Sequence, residues 1–304
     1  ENSTILSDKT CSMTCFFRSA FIGIAAFVLI LVGIAKRDTS QVTDITIGWK
    51  DNILSIYHPQ IPGGKIDTWY LEAYCRPGST DRPWNETTIS HRTELVSIND
   101  LKTEIKLKCT LEDGVRVDHL IRATRTGVSF DLIANNPTGK VSEAHWAQPC
   151  IRVGKFTGKG ADETDDAYAY IKKSFIFQDK DDIPDFLPTK DWATKARYVP
   201  GQVWCPKNVN RDDVNPRPLH PSAPHKNIIG CVSADKKWLM ASVWEPYQEL
   251  FQGVIRCIHS DFRIGGLKPG ETKKIRGKMY LLPNDVPALL ALHKKEFPDK
   301  AKKH

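Results

Sequence analysis

His145 stands between Ala144 and Trp146, just past the turn-forming Asn135-Asn136-Pro137-Thr138 and at the mouth of a strand running through Ile151. An imidazole titrates close to neutrality, so at such a position it can serve as a general acid. Its plainer use is structural, donating to a loop carbonyl. Glu245 is the matching base candidate, placed after the apolar run Trp238 to Trp244 and directly before Pro246. A carboxylate at the end of a buried strand loses hydration, which raises its pKa toward that of a working base unless a cation satisfies it. Arg152 and Arg256 are the cations available for that plainer role. Glu249 is a substitute for Glu245 in the same loop. His91 offers a hydrogen-bond donor from the first half of the chain, with a solvated surface position as its alternative. Trp84, Trp146, Trp204 and Trp244 adjoin loops or strand ends and present flat apolar faces.

Strands must position these groups. Trp238 to Trp244 is too apolar and too short for anything but a buried strand. Gly253 to His259 reads as a return strand, Leu267-Lys268-Pro269-Gly270-Glu271 as a turn, and Lys273 to Leu282 as a half-exposed strand. Upstream, Val42 to Tyr57 gives two strands around an Asp51-Asn52 turn, with Pro62-Gly63-Gly64 closing the hairpin region. Trp69 to Tyr74 is a further apolar run, and Thr87 to Val96 follows the turn-rich Cys75 to Asn85. Glu104 to Thr110, Val115 to Ala123 and Val128 to Ala134 form a meander. His119 is expected to face the side opposite Val117 and Ile121. Asp179 to Arg217 is the longest irregular stretch, and a loop of that length in a compact domain reads as functional or a lid. Asp285 to Phe297 reads as the one helix of the folded part, with Asn284 as N-cap and Pro287 in its first turn.

A buried strand ending in Glu-Pro, then a Leu-x-Pro-Gly-Glu turn and a closing strand, resembles the C-terminal part of galactose-mutarotase-like (aldose 1-epimerase-like) proteins. The meander, the Asn135–Thr138 turn and His145-Trp146 resemble a second segment of that family. The words HWAQPCIRV and WEPYQELFQG also look like uncharacterised exported bacterial proteins of this type. The resemblance implies an all-β, antiparallel super-β-sandwich over 41–283. It also implies carbohydrate as ligand, with His145 protonating the ring oxygen and Glu245 taking the anomeric proton. His91, Trp146, Arg152, Trp204, Trp244 and Glu249 would hold the sugar. Two alternatives stay open: a non-catalytic module binding a polysaccharide or an envelope partner, and a polysaccharide lyase or hydrolase.

The chain of 304 residues is 40% hydrophobic and 26% charged, ordinary globular composition. The last dozen residues supply much of its net charge of +7, and no basic stretch is interleaved with aromatics, so nothing indicates nucleic-acid binding. The segments are a leader over 1–40, the sandwich, and a helix with a basic tail over 284–304. Met13 is a plausible start, and Ser19 to Ala35 is an uncharged apolar run at the lower edge of the roughly 17–25 residues that span a bilayer. A cleaved signal peptide or a membrane anchor is expected, with the remainder exported. Beyond Cys11 and Cys15 in the leader, the cysteines are scattered, and most are expected as free buried thiols. His145 and Cys150 are five apart with no further ligand at an informative spacing, so the reading assigns no metal and no cofactor. No GxSxG elbow, P-loop, GxGxxG or HExxH occurs. Asp165-Asp166 and Asp181-Asp182 read as solvated charge.

Overall fold

The computed structural model describes residues 43–80, 82–158, 169–187, 202–215 and 218–298. The leader with its apolar run over 19–35, Asp165-Asp166 and the basic tail beyond 298 lie outside the described residues, as does part of the long irregular stretch. No described helix is long and apolar enough to cross a membrane.

In chain order the strands are β1 Thr46–Lys50, β2 Ile53–Tyr57, β3 Lys65–Cys75, β4 Thr88–Ile89, β5 His91–Ile98, β6 Glu104–Leu111, β7 Arg116–Thr124, β8 Gly127–Asn135 and β9 Trp146–Arg152. They continue with β10 Ser174–Ile176, β11 Asp185–Phe186, β12 Val203–Trp204, β13 Ile228–Val232, β14 Trp238–Glu245, β15 Tyr247–Gly253, β16 Cys257–Arg263 and β17 Thr272–Pro283. The helices are α1 Trp84–Thr87, α2 Gly154–Thr157 and α3 Val286–Glu296. Two antiparallel sheets result. The smaller runs β1-β2-β3-β9-β16-β15-β12, with β4 on β3; the larger runs β11-β10-β13-β14-β17-β8-β7-β6-β5.

The main core lies between the sheets, where Leu54, Ile56, Ile258 and Phe262 meet Leu107, Val117, Phe130 and Trp244. A second core lies outside the larger sheet, where α3 covers Leu239, Ala241, Val243 and Tyr280. This explains the unbroken apolar run of β14: Met240 and Trp244 enter the first core, and Leu239, Ala241 and Val243 the second. Asp51 and Asn52 take φ of 50° and 61°, the left-handed pair that a tight two-residue hairpin turn requires.

Four expectations need correction. Gly253 to His259 is not one strand but the turn of a hairpin, because Arg256 adopts a φ of 56° between β15 and β16. Thr87 to Val96 is split, β4 joining the smaller sheet and β5 the larger. The α3 cap is Asp285 rather than Asn284, its carboxylate accepting from the Ala288 N–H at 2.9 Å. His119 shares the inward face with Val117 and Ile121, as residues two apart on a strand must. It is buried within hydrogen-bond distance of the Tyr70 hydroxyl, 3.0 Å from Nδ1, and of the Tyr74 hydroxyl, 3.3 Å from Nε2.

Burial, aided by nearby His91, lowers the His119 pKa from 6.5 to about 3. The folded protein therefore resists a proton that the unfolded chain accepts below pH 6.5, and stability falls with pH across the window from 6.5 to about 3. At about 1.4 kcal/mol per pH unit, His119 costs about 2 kcal/mol on going from neutral pH to pH 5. Urea unfolding at both pH values checks this. His119→Gln lacks the penalty, so its stability deficit relative to wild type narrows by about that amount at pH 5; an unchanged deficit contradicts the assignment.

Candidate functional site

Alternation along β16 sends Ile258 and Phe262 into the main core and turns Cys257, His259 and Asp261 to the outer face of the smaller sheet. β9 contributes Trp146, Gln148, Cys150 and Arg152 to the same face, and Ala147 and Ile151 to the core. On β3, a register shift against β9 between Trp69 and Ala73 coincides with Leu71 at a φ of 64°. A β-branch-free but bulky residue in the left-handed region costs about 1–2 kcal/mol, and such a bulge re-aims the neighbouring side chain. Here it brings Glu72 to the outer face, where its Oε2 accepts from Gln148 Nε2 at 2.9 Å.

Part of this face lines a cavity of about 250 Å³, walled by Trp84, Phe251, Val254 and Ile255 and reached by Glu72, Gln148, Asn215, Cys257 and His259. His259 is buried and stacks on Phe251 at 4.3 Å, nearly parallel. Its Nε2 lies 3.3 Å from Cys257 Sγ, and its Nδ1 lies 3.6 Å from Asp261 Oδ1, an ion-pair distance longer than a hydrogen bond. Burial raises the Asp261 pKa to about 7 although His259 draws it down. Burial likewise opposes a charged His259, but Cys150 and Asp261 outweigh it and raise its pKa to about 10. Glu249 is fully buried and, with Asp261 and Glu72, contributes to the raised pKa of the buried Cys75 thiol. All six cysteines of the described residues are free and buried.

A clamp holds the rim. Asp213, on the loop after β12, takes the Gly78 N–H on Oδ1 at 2.8 Å and Arg263 Nη2 on Oδ2 at 3.1 Å, with His145 Nδ1 at 3.6 Å. Its backbone carbonyl accepts from Ser79 and from Gln248, and Asn215 Nδ2 donates to the Ser79 carbonyl at 2.9 Å. Burial alone would raise the Asp213 pKa, but His145, Gly78 and Arg263 hold it at about 2.

The candidates from the sequence divide. Trp146, Arg152 and Glu249 do share the outer face with the cavity, Arg152 lying over the Trp69 ring at 5.8 Å. His145 is in the rim clamp, its Nε2 packed so closely on Gly266 that a Cβ there would stand 2.9 Å away. Glu245 is elsewhere, ion-paired with Arg276, whose Nε donates to it at 2.8 Å, and its cavities, one shared with His293, exclude His145. Trp244 is in the main core against Phe130 and Phe262. Trp204 donates from Nε1 to Gln178 at 2.9 Å, and His91 packs edge-on to Tyr74. Sequence reasoning missed Glu72, Gln148, His259 and Asp261. Cys257-x-His259-x-Asp261 is the signal that could have found two of them, since that spacing puts all three residues of the motif on one face of a strand.

No protein-family model and no curated protein sequence matches the chain. Solved structures that it resembles are galactose-mutarotase-like and aldose-epimerase proteins. A galactose mutarotase-like protein from Lactobacillus casei is 7% identical, covering 78% of this chain and 100% of its own, at a TM-score of 0.40. Another from Clostridium acetobutylicum is 10% identical, covering 78% and 94%, at 0.38. A galactose 1-epimerase from Lactobacillus acidophilus is 10% identical, covering 80% and 100%, at 0.33. At these TM-scores no residue role passes from them to this chain.

Asp213→Asn keeps the shape of the clamp but removes its charge. A loss of about 1–3 kcal/mol in unfolding free energy is expected, together with faster proteolysis within 202–215. Wild-type resistance of that loop in the variant would show that the ion pairs do not hold it.

Proposed function

We propose that the protein binds a carbohydrate in the cavity on the outer face of the smaller sheet. The observation that carries this reading is the lining itself: one tryptophan wall beside carboxylate, amide and imidazole groups. Sugars are recognised by that pairing, an aromatic face for the C–H surface of the ring and fixed polar groups for the hydroxyls. At about 250 Å³ the cavity is just below the usual range for small-molecule sites, about 300–1,000 Å³, and suits a single pyranose unit rather than an extended chain. Glu72 is held by its bond to Gln148, while His145 and Glu245, the acid and base of the exchange reading, lie apart, His145 at Asp213 and Glu245 on Arg276. Binding without turnover is therefore preferred to acid-base exchange at the anomeric centre by His145 and Glu245. The apolar run over 19–35 supports an exported protein meeting its ligand outside the cytoplasm.

A thermal-shift panel of aldohexoses tests the reading. At least one sugar is expected to raise Tm, with the shift abolished by Trp84→Ala or Glu72→Gln and retained in Glu245→Gln. A panel without any shift overturns it. Polarimetry on the same sugars reads the alternative: anomer exchange slowed about 10²–10⁴-fold by both His145→Ala and Glu245→Gln would establish catalysis by that pair instead.

A further inference from the structure

We infer that Cys150, Cys257 and His259 form a zinc site at the floor of the cavity. Cys257 and His259 are two apart on β16, and the register that sets Ile258 against Ile151 brings Cys150 of β9 beside them. The two Sγ atoms and a nitrogen of His259 lie within 4.8 Å of one another, and Cys257 Sγ is 3.3 Å from His259 Nε2. Ligands on a tetrahedral zinc, with bonds of about 2.3 Å to sulfur and about 2.0 Å to nitrogen, stand about 3.5–3.8 Å apart, so only small side-chain movements are needed. Two thiolates and an imidazole suit zinc better than a hard cation such as magnesium or calcium.

Three further features point the same way. Asp261 stands on the Nδ1 side of His259, away from the thiols, the place of the carboxylate that orients a metal-bound histidine. Arg152 Nε donates to Cys150 Sγ at 3.2 Å, an outer contact that would hold this sulfur in place as a ligand. Gly253 leaves open the space above the ligands, since a Cβ there would stand 2.9 Å from His259 Nε2 and closer still to Cys257 Sγ. On binding, Cys150, Cys257 and the protonated His259 each release a proton to solvent, and His259 then coordinates through its freed Nε2. Zinc and two thiolates then sum to no net charge, which lowers the cost of so buried a centre. Cys257 and His259 line the cavity, so the fourth position opens to it and would take water or a ligand oxygen. The metal site shares His259 and the cavity with the carbohydrate reading, so with Nε2 on zinc the open metal position, not the imidazole, would meet a sugar hydroxyl; the metal itself is measured without sugar.

The test uses the full chain carrying Cys11→Ser and Cys15→Ser, so that the leader thiols cannot contribute. Titration with Co²⁺ is expected to give one equivalent bound with a thiolate-to-cobalt charge-transfer band, displaced by Zn²⁺. Asp261→Asn is expected to weaken binding about 10–100-fold, and Cys150→Ser with Cys257→Ser to remove the band. Should the cysteine variants not fold, X-ray absorption of the zinc-loaded parent chain decides, with two sulfur neighbours at about 2.3 Å expected. Absence of the band in the parent chain, its persistence in the folded double variant, or a shell of oxygen and nitrogen alone would overturn the site.

Discussion

The constraint on which the rest depends is the burial of ionisable groups on the outer face of the smaller sheet. His259 and Asp261 belong to a strand whose other face is Ile258 and Phe262, locked in the main core, so neither can turn away from its position. Both are nearly inaccessible to water. Charges in such a place are costly unless they are paired. Phe251 stacks on His259 and the Cys257 thiol meets its Nε2, while its Nδ1 faces Asp261 at 3.6 Å without a hydrogen bond. A fold does not retain such a group for stability, since a well-packed apolar set would serve at least as well. The arrangement is the reason for looking to this face for function.

The residues that look reactive in isolation serve this face indirectly. Asp213 gathers Gly78, Arg263 and His145 at one rim, and through Ser79 and Asn215 it ties the loop after β3 to the loop after β12. Trp84 follows directly from the first of these loops and Asn215 closes the second, and both reach the cavity. His145 thus helps to hold the cavity's edge in place. Glu245 has a different task, meeting Arg276 on the neighbouring strand β17, with Arg276 Nη1 in turn donating to the Glu296 carbonyl of α3.

Strands with strong local signals were legible in the sequence. The meander β6–β8, the Asp51-Asn52 turn and the buried β14 each carry their own periodicity or turn chemistry. What was not legible depends on neighbours. Nothing local in Val254-Ile255-Arg256 marks a hairpin turn, since two β-branched residues stand where glycine or asparagine would be expected. Glu72 reaches the cavity only through the bulge at Leu71, which is a property of the pairing with β9. The outward set on β16 was visible as alternating Cys, His and Asp, but its meaning needed Cys150 from another strand. His145 and Glu245 stood out because each adjoins a tryptophan, yet Trp146 points outward and Trp244 inward, so adjacency in sequence did not make a shared pocket.

The most direct test of the central claim is backbone hydrogen exchange with and without a saturating monosaccharide. The account predicts that the sugar slows exchange around α1, along β9 and β16, and at the turn over 254–256. Protection instead around Glu245 and α3, with β16 unchanged, would contradict it.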